Sequence, residues 1–378
     1  MIMIPGQHQH RHRSGTTNDS FGVHIVVMLL LALLVSCETK PTVTAVPAQM
    51  PSSSTITFTY STFKGGLWEV DLEGHKTRIW EDDGVYKTLL KWSPRRSRLA
   101  YVTYEASHPV RKETLWVFNP LTGRVNPIAG PGFAIDYCWI DEVRISTSLV
   151  EPNPAPATPS AGTGSQLQFE INTDTGERQS TATPDNSRAG RKLPPNGRWY
   201  ITVEVEEDSL VLRLFEASGA QVTRVYSQPL DKPYFAAYWS PDSHYIAYSP
   251  QDRHEIFLFD VLEDTSHQVT HFTENSEFAL TANLEWAPDS KHLAFSLFDS
   301  REPNQLCILL VARRELTCKD VKYAVNQFVW SVDSRYLAFL APAGNPALHD
   351  IHALDTATME DKNLTNDGEA EWEESIAP

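Results

Sequence analysis

The sequence predicts an all-β ring of seven four-stranded units, a seven-bladed β-propeller. Three observations predict it. A Trp-bearing turn recurs from residue 92 to the C-terminus in steps of 47, 54, 46, 47, 44 and 42 residues. Each Trp is followed by short alternating apolar strands separated by turn residues. Residues 54–378, shared among seven units, allow about 46 residues each, matching the steps. Six or eight blades are the alternatives, and they would need about 54 or 41 residues per unit.

In chain order, residues 1–36 read as an address segment rather than as part of the fold. Arg11 and Arg13 stand among His8, His10 and His12, and residues 23–35 form an apolar run containing only His24 as a polar member. At about 1.5 Å per residue the run spans roughly 20 Å, short of the ~30 Å hydrocarbon core of a bilayer. It ends in Leu34-Val35-Ser36-Cys37, which resembles the bacterial lipobox. The resemblance implies a diacylglycerol thioether on Cys37, cleavage before it and acylation of the new amine. An uncleaved anchor and an internal apolar strand are the alternatives. Glu38 follows Cys37. In a two-membrane bacterium this implies the outer membrane, and in a one-membrane organism the outer leaflet of the plasma membrane. Residues 37–53 are then the lipidated cysteine and an extended Pro-, Thr- and Ser-rich tether.

Residues 54–378 hold the repeat. Its clearest copies begin at Trp92, Trp239, Trp286 and Trp330, each with Ser or Ala next and, in the last three, Asp two positions further. Trp139 and the Leu193-Pro194-Pro195-Asn196 stretch are degenerate copies, and Trp372 is the last anchor. The long step carries a Pro-rich surface loop, 151–165. Within a unit, an apolar strand ends at the Trp, and Ser-Pro-Asp makes a tight turn. An alternating strand follows, then a third such as residues 67–71, 115–119, 167–171, 212–215 or 256–260. A polar outer strand such as 268–272 closes the unit. Such a sheet is apolar on both faces and has to be covered by its neighbours. Packing one Trp between blades contributes roughly 2–3 kcal/mol. The first unit lacks an inner strand and the last has a spare one at 368–375, so the C-terminus is expected to complete the first blade beside the N-terminal strands and remove the free edges.

The pattern W-S-P-D-x-x-x-[IL]-A-[FY], followed by an [IL]-[FYW]-x-[VF]-D strand, resembles the TolB-like propeller repeats. It is also similar to the repeats in the propeller of the dipeptidyl peptidase IV and prolyl oligopeptidase families. The resemblance covers about 54–378 and implies the fold; it implies little about function.

Catalytic motifs are sparse. There is no G-x-S-x-G elbow, H-E-x-x-H, paired C-x-x-C, Walker A or EF-hand loop. His349 and His352 are spaced i, i+3, which on a strand places them on opposite faces. No metal or cofactor is expected. Cys307 and Cys318 flank a hairpin turning near Ala312-Arg313, which sets them opposite one another: a disulfide in an oxidising compartment, two thiols otherwise. Cys138, on an inner strand, reads as a small buried hydrophobe. A net charge of −16 argues against nucleic acid as a partner.

The functional expectation is a non-catalytic, lipid-anchored binding or scaffold module outside the cytoplasm, its partner an envelope protein, peptide or glycan. Tyr86, Phe133, Tyr234, Phe278 and Tyr323, in loops entering the inner strands, are the candidate partner-binding mouth, with Tyr137 and Phe235 beside them. The alternative is a cell-envelope enzyme of lyase or hydrolase type using polar residues of the channel.

Overall fold

The computed structural model describes residues 55–378 apart from 108–109, 151–165, 181–197, 217, 219, 232–234, 251–254, 272–278, 299–303, 323–324, 326, 344–347, 369 and 371–375. Cys37 and the segments 1–36 and 37–53 thus lie outside the described residues, as do the loop 151–165, Leu193 and Trp372. The described chain is all-β.

The first blade contains β1 (Thr57–Ser61), β2 (Leu67–Asp71) and β3 (Lys76–Trp80). The second contains β4 (Thr88–Trp92), β5 (Leu99–Ser107), β6 (Val110–Asn119) and the first half of the long β7 (Arg124–Trp139). The second half of β7 is the inner strand of the third blade, continued by β8 (Arg144–Val150), β9 (Gln166–Asn172) and β10 (Arg178–Ser180). The fourth has β11 (Trp199–Glu206), β12 (Ser209–Glu216) and β13 (Gln221–Pro229); its expected inner strand falls outside the described residues. The fifth is β14 (Phe235–Trp239), β15 (Tyr245–Pro250), β16 (Phe257–Asp260) and β17 (Thr265–Gln268). The sixth is β18 (Ala279–Trp286), β19 (His292–Phe298), β20 (Asn304–Leu310) and β21 (Glu315–Val321). The seventh is β22 (Phe328–Trp330), β23 (Tyr336–Pro342), β24 (His349–Asp355) and β25 (Glu360–Asn363). The ring is a seven-bladed propeller, and β7 joins two blades into one seven-stranded sheet.

The C-terminal β26 (Ile376–Ala377) pairs with β1, setting Ala377 opposite Thr59 and Ile376 opposite Tyr60. The chain ends therefore interlock in the order β26-β1-β2-β3. The closing strand differs from the expected 368–375. Residues 376–377 make the ladder, and Ala370 adds isolated bridges to Thr62 and His349.

Each apolar cluster is built from two blades. Phe58, Tyr60 and Val70 of the first pack with Leu340, Ile351 and Ala353 of the seventh. Tyr101 and Phe118 of the second pack with Leu67 and Trp80 of the first. Trp286 and Phe295 pack with Ala247 and Leu258 of the preceding blade, and Trp330 and Phe339 with Ala294 and Ile308. Burial between blades is thus the main stabilising term, as the two-faced apolar strands require.

The Trp-bearing turns are hydrogen-bonded, with Ser243 N–H donating to Ser240 O at 2.8 Å, Ser290 to Ala287 at 2.9 Å and Ser334 to Ser331 at 2.9 Å. The left-handed residue is the serine after the aspartate: φ is 63° at Ser243, 60° at Ser290 and 62° at Ser334.

The outer strand expected at 268–272 is instead Thr265–Gln268. Val269 continues its ladder with β16 by one rung, its N–H donating to Ile256 O at 2.9 Å, and Thr270 Oγ1 then caps it by accepting Ile256 N–H at 2.8 Å. Cys307 and Cys318 face each other in the β20–β21 ladder, with their sulfurs bonded at 2.04 Å. The turn between them spans four residues rather than two, but it keeps the same centre and hence the same register.

Candidate active site in the axial channel

The inner strands build the site. Along each, the Trp lies between blades and the residue just before it points to the opposite face, where Tyr238 and Val329 pack against the next interface while Cys138 and Glu285 are exposed. In blades two, three, five, six and seven these residues are Lys91, Cys138, Tyr238, Glu285 and Val329. The Trp indoles fasten this row in place. Trp139 Nε1 donates to Lys91 O at 2.9 Å, Trp286 Nε1 to Tyr238 O at 3.2 Å and Trp330 Nε1 to Glu285 O at 3.0 Å. Each blade therefore fixes the backbone that carries its predecessor's channel residue.

Glu285 and Lys91 belong to the sixth and second blades, far apart around the ring. The charge of the Lys91 ammonium nevertheless reaches the Glu285 carboxyl and lowers its pKa. The Glu285 side chain is exposed to solvent on an inner strand that neighbouring blades surround. Desolvation by that surrounding protein pushes its carboxyl up to about 7, and Lys91 pulls it back only in part. Lys91 is aimed by the third blade: its Nζ donates to Tyr137 O at 2.7 Å and lies 4.9 Å from the centre of the Tyr137 ring. Tyr137 is itself buried, with its hydroxyl donating to Leu89 O. Cys138 is exposed, not the buried hydrophobe expected, because its position on the inner strand opens onto the channel. An acid titrating near neutrality opposite a fixed cation can exchange protons and hold negative charge on a substrate oxygen.

Of the expected mouth residues, Tyr86 is 40% exposed and stacks on Tyr104 with ring centres 6.0 Å apart. Phe133 is in β7 and its side chain lies outside the described residues, as do Tyr234, Phe278 and Tyr323. The described structure thus brings none of the five together. His349 and His352 do point to opposite faces of β24. His349 has a buried Nδ1 without a partner, while His352 Nδ1 lies 3.3 Å from Asp361. Asp71, Glu73 and His75 at the β2–β3 turn bring ligand atoms within 4.8 Å of one another. Asp71 is already engaged there, accepting the Glu73 and His75 amides at 3.0 and 2.8 Å.

No protein-family model matches the chain, and no curated protein matches its sequence. Solved structures match its fold. A putative 6-phosphogluconolactonase from Bacteroides uniformis ATCC 8492 has a TM-score of 0.56 at 12% identity, covering 86% of this chain and 99% of that one. An oligogalacturonate lyase from Vibrio parahaemolyticus has a TM-score of 0.54 at 10% identity, covering 82% and 85%. TolB from Acinetobacter baumannii has a TM-score of 0.50 at 13% identity, covering 82% and 78%. At these identities the likeness defines the fold alone, a β-propeller.

These structures also correct the expectation of a non-catalytic module. The propellers alike in fold are mostly enzymes, with lactonases, lyases and a hydrolase among them. The lack of local catalytic motifs therefore carries no weight against chemistry here, since a propeller assembles its site from different blades. Lys91 and Glu285 are far apart in sequence, and the charge of one reaches the other only when the ring closes. The available signal was a charged residue in an otherwise apolar inner strand, Leu90-Lys91-Trp92 and Leu284-Glu285-Trp286.

Proposed function

We propose that this chain is an enzyme of lyase or hydrolase type that works in its axial channel on a sugar-derived substrate bearing a carbonyl or carboxyl group. The observation that carries this reading is the raised Glu285 carboxyl on the inner strand of the sixth blade, within reach of the Lys91 charge from the second. A carboxyl near half-ionised at neutral pH serves as base and, once protonated, as acid. It removes a proton from water or from carbon beside a carbonyl, and Lys91 stabilises the oxygen that gains charge. The sugar class follows by analogy of fold from the lactonases and lyases that share the architecture.

The protein is held outside the cytoplasm by lipid on Cys37, with an envelope glycan as its partner. The lipobox-like sequence and the Cys307–Cys318 bond, at home in an oxidising compartment, support that placement. Mass spectrometry of the membrane-extracted protein should find a diacylglyceryl group on Cys37, and Cys37→Ala should release the protein to the soluble fraction.

The catalytic reading is tested by turnover of aldonolactones and oligogalacturonides. Glu285→Gln should lower kcat/KM by at least ~10²-fold, and the limb of the pH profile near 7 should disappear. No turnover by the wild type, or an undiminished rate in Glu285→Gln, rejects it.

A further inference from the structure

A second cavity lies away from the channel, between the sixth and seventh blades. Its volume is about 750 Å³, within the range of small-molecule sites. Lys319 and Lys322 line it from the sixth blade, and His352, Asp361 and Asn366 from the seventh, with a short apolar strip of Pro342, Ala343 and Leu348.

Most of the charges in this groove are already engaged, Lys322 and Asp320 lying at its edge outside the ion pairs. Lys319 Nζ lies 3.1 Å from Asp361 and donates to Met359 O at 2.9 Å. His352 Nδ1 is 3.3 Å from the other Asp361 oxygen. Asp367 pairs with Lys76 of the first blade. Asp350 accepts Asn363 Nδ2, Asp367 N–H and Gly368 N–H, all at 2.8 Å, and Thr365 Oγ1 at 3.2 Å. An ion entering at the Lys319–Asp361 pair would have to break it to gain another. What remains is capacity for more hydrogen bonds of both kinds. A carboxylate has about four acceptor positions and an ammonium three donors, so the Lys319–Asp361 pair keeps both donor and acceptor to spare.

A hydroxyl matches that remainder, since it donates to the carboxylate while accepting from the ammonium. A row of hydroxyls on a ring with an apolar C–H face matches the rest, the face resting on Pro342, Ala343 and Leu348. Gly368 keeps the strip open: its φ is +68°, and a Cβ there would stand 3.1 Å from Leu348 Cβ and 3.3 Å from Ala343 Cβ.

We propose that the groove between the sixth and seventh blades binds a neutral oligosaccharide, as a site separate from the channel. Neither Glu285 nor Lys91 lines the groove, so this proposal and the catalytic reading fail independently. Saturation-transfer NMR and calorimetry with maltotriose, triacetylchitotriose and trigalacturonate test it. At least one neutral trisaccharide should bind the wild type and Glu285→Gln equally. The pair Lys319→Met with Asp361→Asn, which removes both charges together, should weaken binding at least tenfold. Lys322→Ala, a rim substitution on an exposed side chain, should weaken it about threefold with an unchanged melting temperature, and decides the matter should the double variant not fold. The proposal is overturned if neither neutral trisaccharide binds, if only trigalacturonate binds, if the groove variants bind as tightly as the wild type, or if Glu285→Gln abolishes binding.

Discussion

At the scale of the residue, Glu285 shows how a fold sets the chemistry of one side chain. On an open strand its carboxyl would titrate like any surface glutamate. Closing the ring surrounds it with protein and leaves one cation, Lys91, to offset the loss of water. The shift has a consequence for stability. The folded carboxyl titrates at about 7 and the unfolded one at about 4.5, so the folded state holds the proton more tightly. Stability is then favoured below the unfolded value and lost as pH rises toward and through the folded value. Glu285→Gln has no such proton to lose. The variant should therefore gain stability over the wild type as pH rises from about 5 to about 8, a trend that urea unfolding at several pH values will read. Parallel curves for the two proteins would mean that the carboxyl is not held in the channel. Elsewhere, buried charge is neutralised by close contact. Lys87, 1% exposed, donates to both Asp83 oxygens at 2.8 and 2.9 Å and to Gly65 O at 2.6 Å.

At the scale of the element, the repeat works through its turns. In Ser-Pro-Asp-Ser the last serine takes a left-handed backbone conformation, a strain of order 1 kcal/mol that needs compensation. That conformation accompanies a bond from the next blade. Ser290 Oγ accepts the Asp242 amide and Ser334 Oγ the Asp289 amide, both at 2.9 Å. In the second blade Arg96 occupies the left-handed position, and Glu142 of the third accepts the Arg95 amide at 2.8 Å. The far ends of the fifth and seventh blades share another device. Thr270 and Thr365 accept the amides of Ile256 and Ile351 at 2.8 and 2.9 Å while donating to Glu255 and Asp350. Ser290→Ala should thus cost ~1–2 kcal/mol by leaving the Asp242 amide without its acceptor, with Ser290→Gly recovering a few tenths through relief of the backbone. Equal melting temperatures for wild type and alanine variant would assign the bond no weight. These elements differ in how legible they were. The Trp strands and their turns stand out because the spacing and residue types repeat. The end of the fifth blade's outer strand does not, because Gln268 to Thr270 alternates like a strand and only the side-chain bond from Ile256 N–H to Thr270 Oγ1 marks where the ladder is capped.

At the scale of the whole molecule, the sequence revealed the ring and concealed the site for the same physical reason. Inter-blade packing demands similar apolar residues in every unit, so it leaves a periodic trace. A channel site needs one unlike residue per blade, so Lys91 and Glu285 look like noise in the repeat until ring closure brings the charge of one within reach of the other. That convergence requires the ring to be closed, and the closure rests on a short strand. Ile376 and Ala377 are 2% and 0% exposed and supply the inner edge of the first blade. Their partner β1 is buried throughout, and Thr59 accepts the Trp92 indole at 2.7 Å, tying this junction to the second blade. Removing residues 376–378 strips Ile376 from a two-blade cluster and bares the inner edge of β1 to solvent. Burial of the isoleucine and the lost ladder bonds together amount to ~3–5 kcal/mol, which for a domain of this size lowers the melting temperature by several degrees. The exposed edge should also drive self-association, visible by analytical ultracentrifugation. Because the first blade abuts the second, which carries Lys91, any turnover in the channel should fall with the truncation, even at temperatures where most of the protein remains folded. A truncated protein that melts like the full chain and stays monomeric would show that the ring is held shut by packing between the first and seventh blades alone.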